Sequence, residues 1–534
     1  MATASELSMN QNASAAQMAQ TIFGDGVIVV GASYSGSSYS SATYSGGDST
    51  SPGVVPGDTG VILSTGRASD FTNSQGWGNW SGDPNLSTNT STNSGGQNGN
   101  ADFEAISGQR TFDASFLTVN FIPTGNVMSI KFVFASDEYP EYASSIYNDV
   151  VGVWVNGTHI PLSVTQSAAS VTEINDTENI NLYKDNTGDQ YNTEMDGFTV
   201  SMTLTIPVNS GQVNTIKLGI ADASDSNYDS NLLIAGDSIQ TTVIAIQDDV
   251  TIAPGGTQNV DLLANDLNAT GGVLSVTHIN GVAVNPGDTV ILPSGHQVTL
   301  LADGTVDILT TNVEEKVSFT YETTSTNGLG QEVGGDLGFV TVDTVPCFVA
   351  GTLIRTPLGD IPVETLEPGD LVDTMDDGAQ PLRWVGRRTV AAEGALAPIA
   401  IAANALGEHA ALMLSPQHRV LLGDPLSSLL FGEDEVLVAA KDLVNDLTIR
   451  PRPGGDVTYL HLMFDRHQVI WAEGLPTESF LPGPQMKKAF AREALEEITT
   501  LFPQIDWTSG RGYGPAARRT LKRFEARVFR GSAL

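Results

Sequence analysis

Short segments in which apolar and polar residues alternate recur through this chain, punctuated by Gly, Asn, Ser and Asp, and they commit it to β-sheet rather than to helix. Between about residues 21 and 245 they are GVIVVGASYSG, SIKFVFASDE, DVVGVWVNG, FTVSMTLTIPV and NTIKLGIAD. Their β-branched side chains suit a pleated, half-buried surface. A second series runs from Gln247 to Pro346: NVDLLANDL, LSVTHINGVAV, QVTLLADGTVDIL, VSFTYETTS and GFVTVDTV, at the spacing of a small β-sandwich. A chain of 534 residues is too long for one ordinary core. The fold class expected is mainly β: a sandwich-like module over residues 15–245, a sandwich spacer over 247–346, a third all-β unit over 347–482 and a basic helical tail over 483–534. Ser87 to Asn100, STNTSTNSGGQNGN, has almost nothing apolar to bury and is expected to form a long surface loop open to proteolysis.

Charge divides the chain where the third unit begins. Only six of its 25 Lys and Arg (Arg67, Arg110, Lys131, Lys184, Lys217, Lys316) precede Cys347, against 37 of its 61 Asp and Glu. A surface this acidic repels phosphate backbones, so nucleic acid is not an expected partner of the first 346 residues; hard cations are compatible with it. Solubility alone also accounts for such a charge. Cys347 is the sole cysteine, which rules out an intramolecular disulfide and leaves packing or bound ions to supply stability. The opening residues MATASELSMNQNASAAQMAQ carry neither a basic nor a continuous apolar stretch, and no run approaches eighteen apolar residues. Neither a Sec signal nor a membrane span is expected, and export would use a route that reads an uncleaved signal, such as type I secretion.

Acidic side chains cluster at Asp137 and Glu138, at Asp185 and Asp189, at Glu194 and Asp196, and in DASDSNYDSN. In that last segment Asp222, Asp225, Asn227 and Asp229 space oxygen ligands as a Ca²⁺ loop does, without the EF-hand order. The same residues favour solvated Asx-turns. A structural Ca²⁺ is therefore one of two readings.

Several of these segments resemble known families. DTGVILSTGRASDF, TFDASFLTVNFIPTG, FVFASDEYPEYASSIYNDVVGVWVNG and DSNLLIAGDS together resemble the choice-of-anchor L module of bacterial secreted and surface proteins. VDLLANDLNATGG resembles cadherin-like or immunoglobulin-like repeats, which implies a spacer. The resemblance brings an extracellular or cell-surface setting, with an unidentified ligand for the β modules, and no catalytic residues.

The chemistry is concentrated after Pro346. CFVAGTLIRTPLGDIPVETLEPGDLVDTMDDG resembles the opening of hedgehog/intein, or Hint, domains, in its bacterial branch, whose all-β fold is horseshoe-like. The resemblance makes Cys347 the nucleophile. ALMLSPQHRVLL resembles the Hint Thr-x-x-His motif, with Ser415 and His418 in its two positions. A hydroxyl and an imidazole three residues apart on a turn can converge on one peptide bond. YLHLMFDRHQVIWAEGLPTES resembles the last Hint strands; aligned on Gly474, His467 takes the His position and Glu478-Ser479 replaces the final His-Asn. Ser479 has no amide with which to form a succinimide, so splicing is not expected.

The expected mechanism is attack of Cys347 on the carbonyl of Pro346, an N-to-S acyl shift followed by cleavage, with no cofactor required. His418 would protonate the departing nitrogen, Ser415 would orient it, and His467 with Asp465 would form a second proton shuttle, His461 being a further candidate. Nothing marks a sterol site. The basic tail, with Arg518, Arg519, Lys522 and Arg523, is a candidate for contact with an acidic partner or a secretion apparatus, or a solvated helix face. Two functions follow: an autoprocessing surface or secreted protein, single-turnover rather than a turnover enzyme, or an adhesin-like or matrix protein whose Hint fold is chemically silent.

Overall fold

The structure, a computed structural model, describes residues 2–73, 83–87, 89–143, 145, 147–165, 169–252, 256–311, 317–343, 347–392, 397–423, 425–445, 447–481, 513, 516–521 and 523–526. Pro346 and the amphipathic run 486–502 lie outside them. The chain is mainly β and divides into two compact units, one of residues 1–248, 259–307 and 317–341, the other of 249–258, 308–316 and 342–534.

In the first unit the alternating segments become strands close to where the sequence puts them. Val27–Ser35, Thr111–Pro123, Asn214–Ala223, Val150–Val155 and Thr158–His159 form one antiparallel sheet in that spatial order, with Ala169–Ser170 beside Val150–Val155. A second sheet runs Ser8–Asn10, Ser41–Ser45, Thr59–Ser64, Ser230–Ala235, Val127–Ser136, Gly197–Thr199 and Tyr183–Asp185, with Met202–Pro207 also on Val127–Ser136. The module thus begins before residue 15. Leu117, Val119, Phe121, Ile216, Leu218 and Ile220 from the first sheet and Phe132, Phe134, Leu204, Ile206, Leu232 and Ile234 from the second share one core. Burying a side chain of this size is worth about 1.5–3 kcal/mol, so this face-to-face contact is what the alternation is for. Residues 259–307 and 317–341 add small sheets, with Val273–Ile279 antiparallel to Val317–Thr326 in one and the hairpin Thr289–Ile291/Gln297–Leu300 in another.

The polar segment from Ser87 to Asn100 is not a free loop. Thr90 N–H donates to Asp137 Oδ2 at 2.6 Å, Thr92 N–H to Asp229 Oδ1 at 2.7 Å, and Ser94 and Gly96 N–H to the two oxygens of Asp113 at 3.0 and 2.9 Å. Asn100 then caps the helix Ala101–Ser107. Composition misleads here because the strap is held by its backbone, and buried carboxylates supply the acceptors.

The second unit has two sheets. One runs Trp384–Ala391, Asp456–Met463, Phe348–Val349, Leu412–Leu414, Ile399–Ile401 and Ile449–Pro451. The other runs Gly359–Pro362, Leu353–Thr356, Val469–Ala472, Leu475–Glu478, Arg419–Leu422, Val436–Ala439 and Arg519–Thr520, with the hairpin Leu371–Thr374/Gly378–Pro381 on Val469–Ala472. The turn between Val469–Ala472 and Leu475–Glu478 is Glu473-Gly474, at φ 52° and 85°. A two-residue hairpin with both φ positive prefers Asn-Gly; Glu473 is held there by Leu353, whose N–H donates to Glu473 Oε1 at 2.8 Å and whose carbonyl accepts from Glu473 N–H at 2.8 Å.

The described part of the tail belongs to this unit and is not simply helical. Arg519–Thr520 is a parallel strand on Val436–Ala439, followed by a single turn of helix, Arg523–Ala526. Arg518 is bound by Asp376 and Glu435, and Arg519 by Glu525, so these charges are spent inside the unit rather than offered to an acidic partner.

Replacing Asp113 with Ala leaves the Ser94 and Gly96 amides without acceptors. The expected cost is roughly 3 kcal/mol, with cleavage inside residues 87–100 by an added protease becoming faster; limited proteolysis read by mass spectrometry checks it, and equal susceptibility of both chains would refute the strap.

Candidate active site around Cys347

Cys347 precedes a strand of two residues paired on both edges. Phe348 lies opposite Leu414 on one side and Leu460 on the other, and Val349 opposite Tyr459. Antiparallel register therefore sets Ser415, just past its strand, beside Cys347 on one flank and His461 across from it on the other. Ser415 N–H donates to the Cys347 carbonyl at 3.0 Å, and Cys347 N–H donates to Ser415 Oγ at 2.7 Å. The nitrogen so held is that of the Pro346–Cys347 peptide bond. The thiol faces His461, with Sγ 3.4 Å from Nε2. Cys347 and His461 are 5% and 6% exposed, and Phe480 and Trp384 pack against the His461 ring at centroid distances of 5.3 and 6.4 Å.

His418 is brought to the site by the turn that the sequence motif implies, its N–H donating to the Ser415 carbonyl at 3.0 Å. Its ring packs edge-on against Phe348 at 4.3 Å, and neither ring nitrogen has a hydrogen-bond partner among the described residues. Burial drives its pKa down to about 4, against the opposing pull of the Glu478 charge and of the Cys347 and Glu478 main chain. At neutral pH it is an uncharged imidazole.

His467 lies in a separate cluster. Its Nδ1 accepts the Ala517 N–H at 2.9 Å, so Nε2 carries the proton and donates to the Ser479 carbonyl at 3.0 Å. Glu478 Oε2 is 3.4 Å from the same Nε2 and accepts from Arg419 Nη1 at 3.0 Å, while Glu478 Oε1 accepts the Arg419 N–H at 3.0 Å. Burial would raise the Glu478 carboxyl, but Arg419 and then His467 and His418 outweigh it and hold it down at about 2. Asp465 takes no part in this cluster: it is half exposed and forms a two-pronged ion pair with Arg383, at 2.8 and 2.7 Å.

The structure thus gathers Cys347, Ser415 and His418, and adds His461 as the imidazole nearest the thiol. Its signal in the sequence was the alternation in YLHLM, which puts His461 two residues from Tyr459 on one face; the pairing partner was not legible. Of the four residues grouped as a Ca²⁺ loop, Asp222 and Asp229 are buried, whereas Asp225 accepts the Asn227 N–H at 3.0 Å in an exposed Asx-turn. Among the described residues no three His, Cys, Asp or Glu side chains share one ready coordination point.

Family models bear on both ends of the chain. Residues 346–484 match the Hint domain, and residues 6–240 match the Choice-of-anchor L domain. The chain therefore carries a Choice-of-anchor L domain followed by a Hint domain, the combination of a surface or secreted protein with a Hint fold. No helix among the described residues is long and apolar enough to cross a membrane. No curated protein matches it. A solved structure, the crystal structure of a β-1,2-glucanase from Parabacteroides distasonis, aligns at 9% identity over 61% of this chain and 39% of its own, with a TM-score of 0.17; so low a score carries no inference.

Glu478 sets a pH dependence. With its carboxyl near 2 when folded and about 4.3 when unfolded, it contributes about 3 kcal/mol at neutral pH. That contribution is complete above the unfolded value and drains away as pH falls toward 2. Glu478→Gln should flatten the acid limb of stability between about pH 5 and 2, measured by urea unfolding across that range; parallel curves for the two chains would contradict the assignment.

Proposed function

We propose that the Hint domain cuts the chain at Pro346–Cys347 by an N-to-S acyl shift, in a surface or secreted protein whose N-terminal β modules are thereby released or exposed. The observation that carries the reading is the hydrogen bond from Cys347 N to Ser415 Oγ, together with the thiol's 3.4 Å approach to His461. A thiol of ordinary pKa, about 8.5, is only a few per cent thiolate at neutral pH, so a base in contact with it is needed. His461 takes the thiol proton. The thiolate attacks the carbonyl carbon of Pro346, a C–S bond forms, and the C–N bond to Cys347 breaks as its nitrogen gains a proton and becomes a free α-amine.

That proton has a short path. Amide nitrogen gains basicity as its carbonyl turns tetrahedral, and Ser415 Oγ is already 2.7 Å away, so it can turn from acceptor to donor. The proton the nitrogen gains balances the one His461 takes from the thiol; His418, neutral through burial and without a ring hydrogen bond among the described residues, is not a standing acid in this step. Water or an external amine then resolves the thioester. At the far end, Ser479 has no side-chain amide, and its hydroxyl accepts the Gln468 N–H at 2.9 Å. No cyclisation is available there, which supports cleavage without splicing.

Extracellular delivery, and a ligand for the anchor-like module, complete the proposal. The competing reading, a silent Hint fold on an adhesin-like protein, draws on the Glu478-Ser479 replacement alone, and that replacement leaves the Cys347 half intact.

In purified full-length protein, Cys347→Ala should abolish appearance of the 347–534 fragment. His461→Gln should slow it roughly 100-fold or more, Ser415→Ala should slow it as well, and Asp465→Asn should leave it unchanged. Gel densitometry with time supplies the rates. Fragmentation that persists in Cys347→Ala would exclude the acyl shift.

A further inference from the structure

The N-terminal module buries carboxyl groups that no ion pair among the described residues balances. In the pairing of Asn214–Ala223 with Val150–Val155, Ala221 lies opposite Val150, which sets Asp222 across from Asp149. The two are 2% and 1% exposed. Asp149 Oδ1 accepts the Ala223 N–H at 3.0 Å, the two carboxyl groups lie within reach of each other, and among the described residues the buried Asp149 Oδ2 and Asp222 Oδ1 find no other hydrogen-bond partner. The Ser230 hydroxyl stands beside Asp149 and the Thr65 hydroxyl beside Asp222. Glu138, also buried, lies next to them, its Oε2 accepting the Asp149 N–H at 3.2 Å.

No ion pair among the described residues reaches these groups. Lys131 is spent on Glu322 and Lys217 on Asp102, while Arg67 and Arg110 lie over the rings of Tyr39 and Phe112. Two facing buried carboxylates with orphaned oxygens demand either a shared proton or a cation. Oxygen-only surroundings of carboxylates and hydroxyls are the ligand type that hard divalent ions take, and Ca²⁺ accepts six to eight such oxygens in flexible geometry.

We propose that Asp149 and Asp222, with the Ser230 and Thr65 hydroxyls, form a binding site for a divalent cation of the calcium class. The site is a two-carboxylate one completed by neutral oxygens; among the described residues no three His, Cys, Asp or Glu side chains are grouped to hold a metal ion. It differs from the Asp222–Asp229 loop suggested by sequence spacing: Asp225 and Asn227 drop out, and Asp149, 73 residues upstream of Asp222, enters through the sheet register. It does not depend on the Hint reading.

The alternative, a shared proton, makes an opposite statement about pH. Burial raises Asp149 to about 7, with Asp225 adding repulsion, and raises Asp222 well above the carboxylate range, with Asp149, Asp229 and Asp113 adding repulsion. Groups raised on folding stabilise below their unfolded value and lose that contribution as pH rises through the folded one. A bound cation would remove the loss at neutral pH.

The test is thermal unfolding of the full chain at pH 7.5 after EDTA treatment, then with CaCl₂ or MgCl₂ added, alongside metal content by mass spectrometry. Calcium is expected to raise the Tm of the module by roughly 5 °C or more at saturation, with about one retained ion per chain lost in Asp222→Asn and in Asp149→Asn. The EDTA-treated Asn variants should match or exceed the EDTA-treated wild type, because one buried charge is gone. A wild type indifferent to both cations overturns the proposal whatever the variants do. A calcium effect unchanged in both variants overturns the assignment to this pair.

Discussion

The two-residue strand Phe348–Val349 is the constraint on which the Hint unit's chemistry depends. It is paired on both edges, so its register fixes at one stroke which groups flank Cys347: the Ser415 hydroxyl against the amide nitrogen and the His461 imidazole against the thiol. His461 is supplied by a neighbouring strand and Ser415 by the residue directly after one, so the register of the strands sets both. A reaction that needs a nucleophile, a held leaving group and a base within hydrogen-bond reach gains most from such preorganisation.

The same unit shows how a departure from the family pattern is accommodated. Glu478 stands where a Hint domain of the splicing kind has its penultimate His, and a carboxylate fully buried at that position demands compensation. Arg419 supplies it from the adjacent strand, and His467 from across the hairpin. The tail contributes as well, since Ala517 N–H fixes the His467 tautomer and Arg518 clamps the segment to Asp376 and Glu435. The Ser479 carbonyl is thereby held by a donor, the His467 Nε2–H.

Much of the fold was legible because alternation is a direct imprint of a sheet with one buried face. Thr111–Pro123, Asn214–Ala223 and Val127–Ser136 fall where β-branched residues alternate. The placing of Cys347 beside the Ser415–His418 turn was legible because both lie in local motifs. What the sequence left open was non-local, including which of the candidate imidazoles meets the thiol. His461 depends on strand pairing 114 residues distant from Cys347, Asp149 on a cross-strand neighbour, and the strap from Ser87 to Asn100 on acceptors far along the chain. Asp465, close in sequence to His467, was misassigned because proximity along the chain says nothing about which face a residue takes; Arg383 claims it at the surface.

The central claim is that a thioester forms at residue 346, and its direct test is intact mass spectrometry of the wild-type chain incubated with hydroxylamine. The account predicts an N-terminal fragment ending in a hydroxamic acid at Pro346 and a partner fragment beginning at Cys347 with a free amine. A chain that stays whole, or is cut to give only the free acid at another position, would contradict it.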